Sequence, residues 1–189
     1  ERAAKEQARG RKLGGKPPQE PIPGPRPKDQ VNFTDEDSRI MPVSGGGFEQ
    51  AYNAQATVDR ATLLVVGAHV TQHVNDKQEV EPALQEIAKL PNELGHVERA
   101  ALDNGYYSQN NVETLAAQGI EPFIAVGRQS HYEALEARLA PIPEAPENPD
   151  AVGAMKHRLK TPEGQAFYAT RKTTVEPVFG IIKEVMGFR

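Results

Sequence analysis

Near the end of this 189-residue chain, in YATRKTTVEPVFGIIK, stand Tyr168, Arg171, Glu176 and Lys183: a phenol, a carboxylate and two cations. Well upstream, in ALDNGYYS, a short apolar run stops at Asp103. A carboxylate at a strand end is rigidly held, and a second on a late helix can be aimed at it. Two acids placed in this way can share divalent metal ions for phosphoryl transfer on nucleic acid. On a helix Glu176, Phe179 or Gly180, and Lys183 lie three, four and seven residues apart and share a face, so the glutamate can meet a metal while the lysine meets a phosphate. Pro177 removes one helical hydrogen bond just after the glutamate and should kink that helix.

The elements that must carry these groups can be read along the chain. FEQAYNAQATVD (48–59) alternates in part, as a half-buried strand does, and a turn at Asp59-Arg60 follows. ATLLVVGAHV (61–70) is a continuous apolar run rich in β-branched residues, as in a strand buried on both faces. These two predict an antiparallel hairpin. Asn75-Asp76 opens a helix with Val80, Leu84, Ile87 and Leu90 at helical spacing and Pro91 as its stop. A helix cap is the expected role of Asp76. VERAAL (97–102) is a short strand ending at Asp103, Ser108 caps a helix through Ala117 closed by Gly119, and IEPFIAV (120–126) is the next strand. The segment from Pro141 to Asp150 reads as a loop, and a helix from about Pro162 to Val185 follows, with proline suited to its first turn.

The strand-end Asp103, the order of elements and the Tyr168, Arg171, Glu176, Lys183 series resemble the insertion-sequence transposases with a DDE catalytic domain, in the branch with a Tyr-Arg-Glu-Lys signature. The resemblance runs from about Asn32 to Arg189. It implies an α/β domain of the ribonuclease H-like class, a mixed sheet with flanking helices. It also implies two magnesium ions about 3.5–4 Å apart, one activating the attacking oxygen and one stabilising the leaving oxygen. Asp103 and Glu176 are the metal-binding and catalytic positions it gives. Tyr168, Arg171, Lys172 and Lys183 are the DNA-contacting ones. Four residues separate Arg171 from Glu176 where the signature has three, so Lys172 competes for the arginine role.

The resemblance is incomplete at one place. The family's first catalytic aspartate lies on an earlier strand, in an Asp-Gly-Thr context, and no such strand is readable between Glu1 and Gln30. The sheet is therefore expected to lack its first strand, and the chain to be a truncated copy of impaired activity. Two alternatives stay open: a non-catalytic DNA-binding or regulatory remnant of a transposase, and another ribonuclease H-like nuclease. Asp35 and Asp37 have the chemistry of metal ligands but fall in a loop. His69 and His73 are expected to be structural. Arg128 is a candidate phosphate contact or an ordinary loop arginine, and Tyr106-Tyr107 should pack beneath the Asp103 loop or stack on a base.

Composition sets the outer limits. The sequence holds no cysteine, which excludes disulfides and cysteine-based zinc sites. No apolar stretch approaches the roughly 20 residues needed to span a bilayer, so a cytoplasmic, nucleoid-associated protein is expected. The net charge of −4 argues by itself against a nucleic-acid partner, but its distribution does not. Residues 1–28 carry eight Lys and Arg against three Glu, and residues 152–189 carry seven basic against three acidic groups. Residues 29–151, with seven basic and twenty acidic groups, lie between these basic ends. Phosphate contacts belong at the ends. Six prolines between Pro17 and Pro27 predict a basic, disordered linker over 1–31, ahead of a partial catalytic domain over 32–189. DNA is the expected partner, with a homo-oligomer for the intact protein.

Overall fold

The computed structural model describes residues 31–43, 46–127 and 144–188, with residues 7, 10, 23 and 24. The chain divides into two units, Glu1–Glu36 and Asp37–Arg189. The expected disorder of the linker, and Arg128, lie outside the described residues. In the first unit the described part is a turn in which Thr34 N donates to Asn32 Oδ1 at 3.0 Å.

The second unit begins with β1 (Arg39–Pro42) paired antiparallel to β2 (Phe48–Ala51). Tyr52 separates β2 from β3 (Asn53–Val58), so the predicted single strand over 48–59 is two. β3 pairs antiparallel with β4 (Val65–Thr71), as expected, with a bulge at Thr57/Val58. The turn is longer than Asp59-Arg60. Asp59 Oδ2 accepts from both the backbone N–H and the hydroxyl of Thr62, at 2.8 and 2.6 Å. Those bonds hold the Asp59 carboxyl below its usual range. They also draw residues 61–64 into the turn, with Leu63 at φ 60°. β4 is accordingly shorter than the apolar run and half exposed rather than buried on both faces.

Asn75 caps a 3-10 turn at Asp76–Gln78 by accepting from Lys77 N, and α1 (Val80–Ile87) follows. β5 (Arg99–Leu102) leads through a 3-10 turn at Asn104–Tyr106 to α2 (Gln109–Ala117), whose Ser108 cap matches expectation. Gly119, at φ 75°, ends that helix in the left-handed conformation that favours glycine. β6 (Glu121–Ile124) then pairs parallel with β5, making a β-α-β unit.

α3 (Ala151–Arg158) was not foreseen. Its signals are Asp150, which accepts from Gly153 N, and the basic run Lys156, His157, Arg158 at its C-terminal end. The predicted long final helix is broken into α4 (Pro162–Ala169), α5 (Arg171–Gly180) and a π turn at Ile181–Val185. At the first break the Thr170 hydroxyl takes the Phe167 carbonyl at 2.7 Å, and Thr173 N bonds back to Thr170 O. The threonine thereby competes with the helical ladder.

Val80, Val112, Leu115, Ile120, Ile124 and Met155 form the buried core, joining α1, α2, α3 and β6. Each side chain of this size stabilises the fold by about 1.5–3 kcal/mol on burial. Phe123 and Phe167 meet at 4.6 Å between ring centres and seat α4 on β6. Among the described residues the strands form three hydrogen-bonded pairs, β1–β2, β3–β4 and β5–β6, rather than one continuous sheet. The class is mixed α/β.

Candidate nucleic-acid and metal site

β5 ends at Leu102, and Asp103 stands immediately after it, as the apolar pattern predicted. Its Oδ1 accepts from Gly105 N at 2.7 Å, so the aspartate caps the turn that follows. The ideal Cβ position of Gly105 lies 2.9 Å from this oxygen and 2.7 Å from Asp76 Oδ2. Two carboxylates therefore converge on one glycine, and any larger residue there would strike both. The sequence reading missed this meeting because it took Asp76 for a helix cap. Asn75 does the capping, while Asp76 Oδ1 accepts from Asn53 Nδ2 and Gln55 Nε2 at 2.9 and 2.8 Å. Asp76 also borders a cleft of about 300 Å³ shared with Met41, Tyr52, Asn53 and Val74.

Tyr106 packs against the core, and its hydroxyl donates to Gln55 Oε1. Burial, then the charges of Asp76, Asp103 and Glu79, push its phenol well above the ordinary value. Asn111, 5 % exposed, donates from Nδ2 to Tyr106 O at 2.7 Å and to Lys77 O at 2.9 Å. One amide thus ties the Asp103 turn to the Asp76 turn. Glu79, only 1 % exposed, is met by His69 Nε2 at 2.9 Å and His73 Nδ1 at 2.7 Å. Both histidines turn a ring nitrogen to Glu79. They satisfy a buried carboxylate that would otherwise be costly.

The late-helix residues come to this region in part. Burial raises the Tyr168 phenol, Arg171 opposes that rise by charge and by a side-chain hydrogen bond, and Asp103 adds to it. A backbone hydrogen bond from Ala125, just past β6, also reaches Tyr168. The charge of the strand-end acid thus reaches Tyr168, distant from it in sequence. The Arg171 guanidinium lies 5.8 Å from the Tyr168 ring centre, and its Nε is buried without an acceptor among the described residues. Lys172 is exposed. Between the two cations the signature left open, Arg171 is the one engaged with Tyr168.

α5 packs against β3 with Thr174 buried, and leaves Glu176 exposed. The helix runs on through Pro177 to Gly180. The π turn after it displaces Lys183 from simple helical register with Glu176, and Lys183 Nζ sits 5.8 Å from the Phe179 ring centre. Asp37 is exposed in a turn before β1. Among the described residues no group of three or more His, Cys, Asp or Glu side chains is arranged to hold a metal ion. Asp103 and Asp76 do supply hard oxygen donors of the kind magnesium prefers. No helix among the described residues is long and apolar enough to cross a membrane.

No curated protein and no solved structure matches the chain. A family model described as the transposase DDE domain matches residues 21–189, most of its length. With an aspartate at the end of β5 and a tyrosine and an arginine on the two helices that follow later in the chain, the chain belongs to the DDE-domain transposases.

Proposed function

We propose that this chain is a DNA-binding transposase domain of the ribonuclease H-like class, built for magnesium-dependent strand cleavage and transfer but impaired in that chemistry. The observation that carries the reading is the match of residues 21–189 to the transposase DDE domain, with Asp103 standing at the end of β5. Asp103 would hold the metal from its rigid strand end, with Asp76 as a further carboxylate beside it, and Glu176 would approach from α5. Bound magnesium would activate the attacking oxygen and stabilise the leaving one. Arg171, fixed against Tyr168, would meet a phosphate, with Lys172 and Lys183 adding exposed positive charge. The pairs β3–β4 and β5–β6 would flank the position of the first strand in a complete sheet. What supports impairment is that Glu176 stands exposed and belongs to no group of three acids among the described residues. In the intact protein a homo-oligomer would bring transposon ends together.

The test is incubation of the purified chain with supercoiled plasmid and magnesium, alongside Glu176→Gln. We expect salt-sensitive retention of plasmid and little or no nicking by either chain. Nicking by the parent that Glu176→Gln abolishes would refute the impairment. Absence of any DNA binding at low salt would refute the DNA-binding reading itself.

A further inference from the structure

Gln55 lies within β3 and is 8 % exposed. Nε2 donates to Asn53 Oδ1 at 2.9 Å and to Asp76 Oδ1 at 2.8 Å, and Oε1 accepts from the Tyr106 hydroxyl. The orientation of the amide is forced. The nitrogen donates to a carboxylate and to an amide oxygen, and turning the amide over would set oxygen against both. This side chain also spans a break in the backbone. β3–β4 and β5–β6 share no ladder among the described residues, and the Gln55–Tyr106 bond crosses between them, 51 residues apart in sequence.

We infer that Gln55 is the positioning residue of the candidate site, holding the Asp103 turn against Asp76 through Tyr106 across the gap between the two strand pairs. It does by side chain what an intervening strand does by backbone. Loss of either bond leaves Asn111 as the remaining side-chain tie on the turn that sets where Asp103 points. Gln55→Glu makes the requirement visible, because one carboxylate oxygen accepts from Tyr106 as before while the other, in place of Nε2, faces Asp76 without a proton. Tyr106→Phe removes the crossing bond alone and keeps the packed ring.

This inference rests on Asp103 being the centre of the site, and its test reads position rather than activity. In the ¹⁵N-labelled 189-residue chain, Gly105 N–H reports on Asp103 directly, since it donates to Oδ1 at 2.7 Å. We expect Tyr106→Phe and Gln55→Glu each to shift the Gly105 resonance. Its hydrogen exchange should accelerate about tenfold, the scale of one lost buried hydrogen bond, while Val112 and Leu115 exchange at parental rates. An unmoved Gly105 in both variants would overturn the inference. So would equal acceleration at all three positions, the signature of a general loss of stability. Should Gln55→Glu fail to fold, Tyr106→Phe decides alone. Titration of the parent with Mn²⁺ and with duplex DNA tests the metal and DNA reading separately, and the exchange result stands whichever way that falls.

Discussion

Asn111→Ala probes the link between the two acidic turns. The parent side chain is buried on α2 and gives both Nδ2 hydrogens to backbone carbonyls, Tyr106 O and Lys77 O. Two neutral hydrogen bonds contribute about 1–3 kcal/mol together. Alanine is the better helix former by up to about 0.7 kcal/mol, which offsets part of the loss. The net cost is about 1–2 kcal/mol, a fall in melting temperature of roughly 2–8 °C for a chain of this size. Asn111→Asp sharpens the test. It keeps the shape and the acceptor oxygen but replaces the donor with a charged oxygen facing two carbonyls. It should therefore cost more than alanine at neutral pH, and part of the excess should return as the pH falls and the new carboxyl protonates. Urea denaturation followed by circular dichroism at pH 7 and pH 5 measures both effects. An alanine variant within 0.5 kcal/mol of the parent, or an aspartate variant no worse than alanine, would refute the assignment of both bonds (the threshold being about the scatter of neutral surface changes).

Gly164→Ala should be severe, because its Cβ would fall 1.9 Å from the Arg158 carbonyl oxygen, backbone that cannot turn aside. The expected cost is at least about 1–3 kcal/mol in chemical denaturation, and an unchanged midpoint would contradict the packing of α4 on the end of α3. Tyr106 and Tyr168 hold their protons beyond the ordinary tyrosine range, so absorbance at the phenolate band should show these two ionising last. An unfolded tyrosine ionises near about pH 10. Their stabilising effect is therefore complete below that pH and lost as the pH rises through the higher folded values, and Tyr106→Phe should flatten the decline. Arg171→Ala should weaken binding to duplex DNA uniformly across sequences and lower the salt slope by about one. A slope identical to that of the parent would remove Arg171 from the DNA contacts.

Much of this protein is local in origin. The Ser108 cap, the Gly119 stop, the strand halting at Asp103 and the hairpin 53–71 depend on residues within a few positions of one another, so their patterns appear in the chain itself. The misreadings are also local, but they turn on competition. Asp59 captures Thr62 and shortens a strand that apolar content alone would extend. Thr170 takes a carbonyl from the helical ladder and splits a helix that spacing alone would continue. In each case side-chain hydrogen bonds outweigh a modest propensity.

By itself the sequence determined the order of elements from β3 to β6, the family and the two chemically charged segments around Asp103 and Tyr168–Lys183. The tertiary structure decided which groups meet. Asp76 faces Asp103 across Gly105, Gln55 reaches Tyr106, Asn111 ties two turns together, and Glu79 is buried beneath two histidines. Periodicity names the face on which a residue lies but carries no information about which distant face will cover it. Those pairings follow from burial, where an amide or carboxylate removed from water must find its partner in whatever element packs against it.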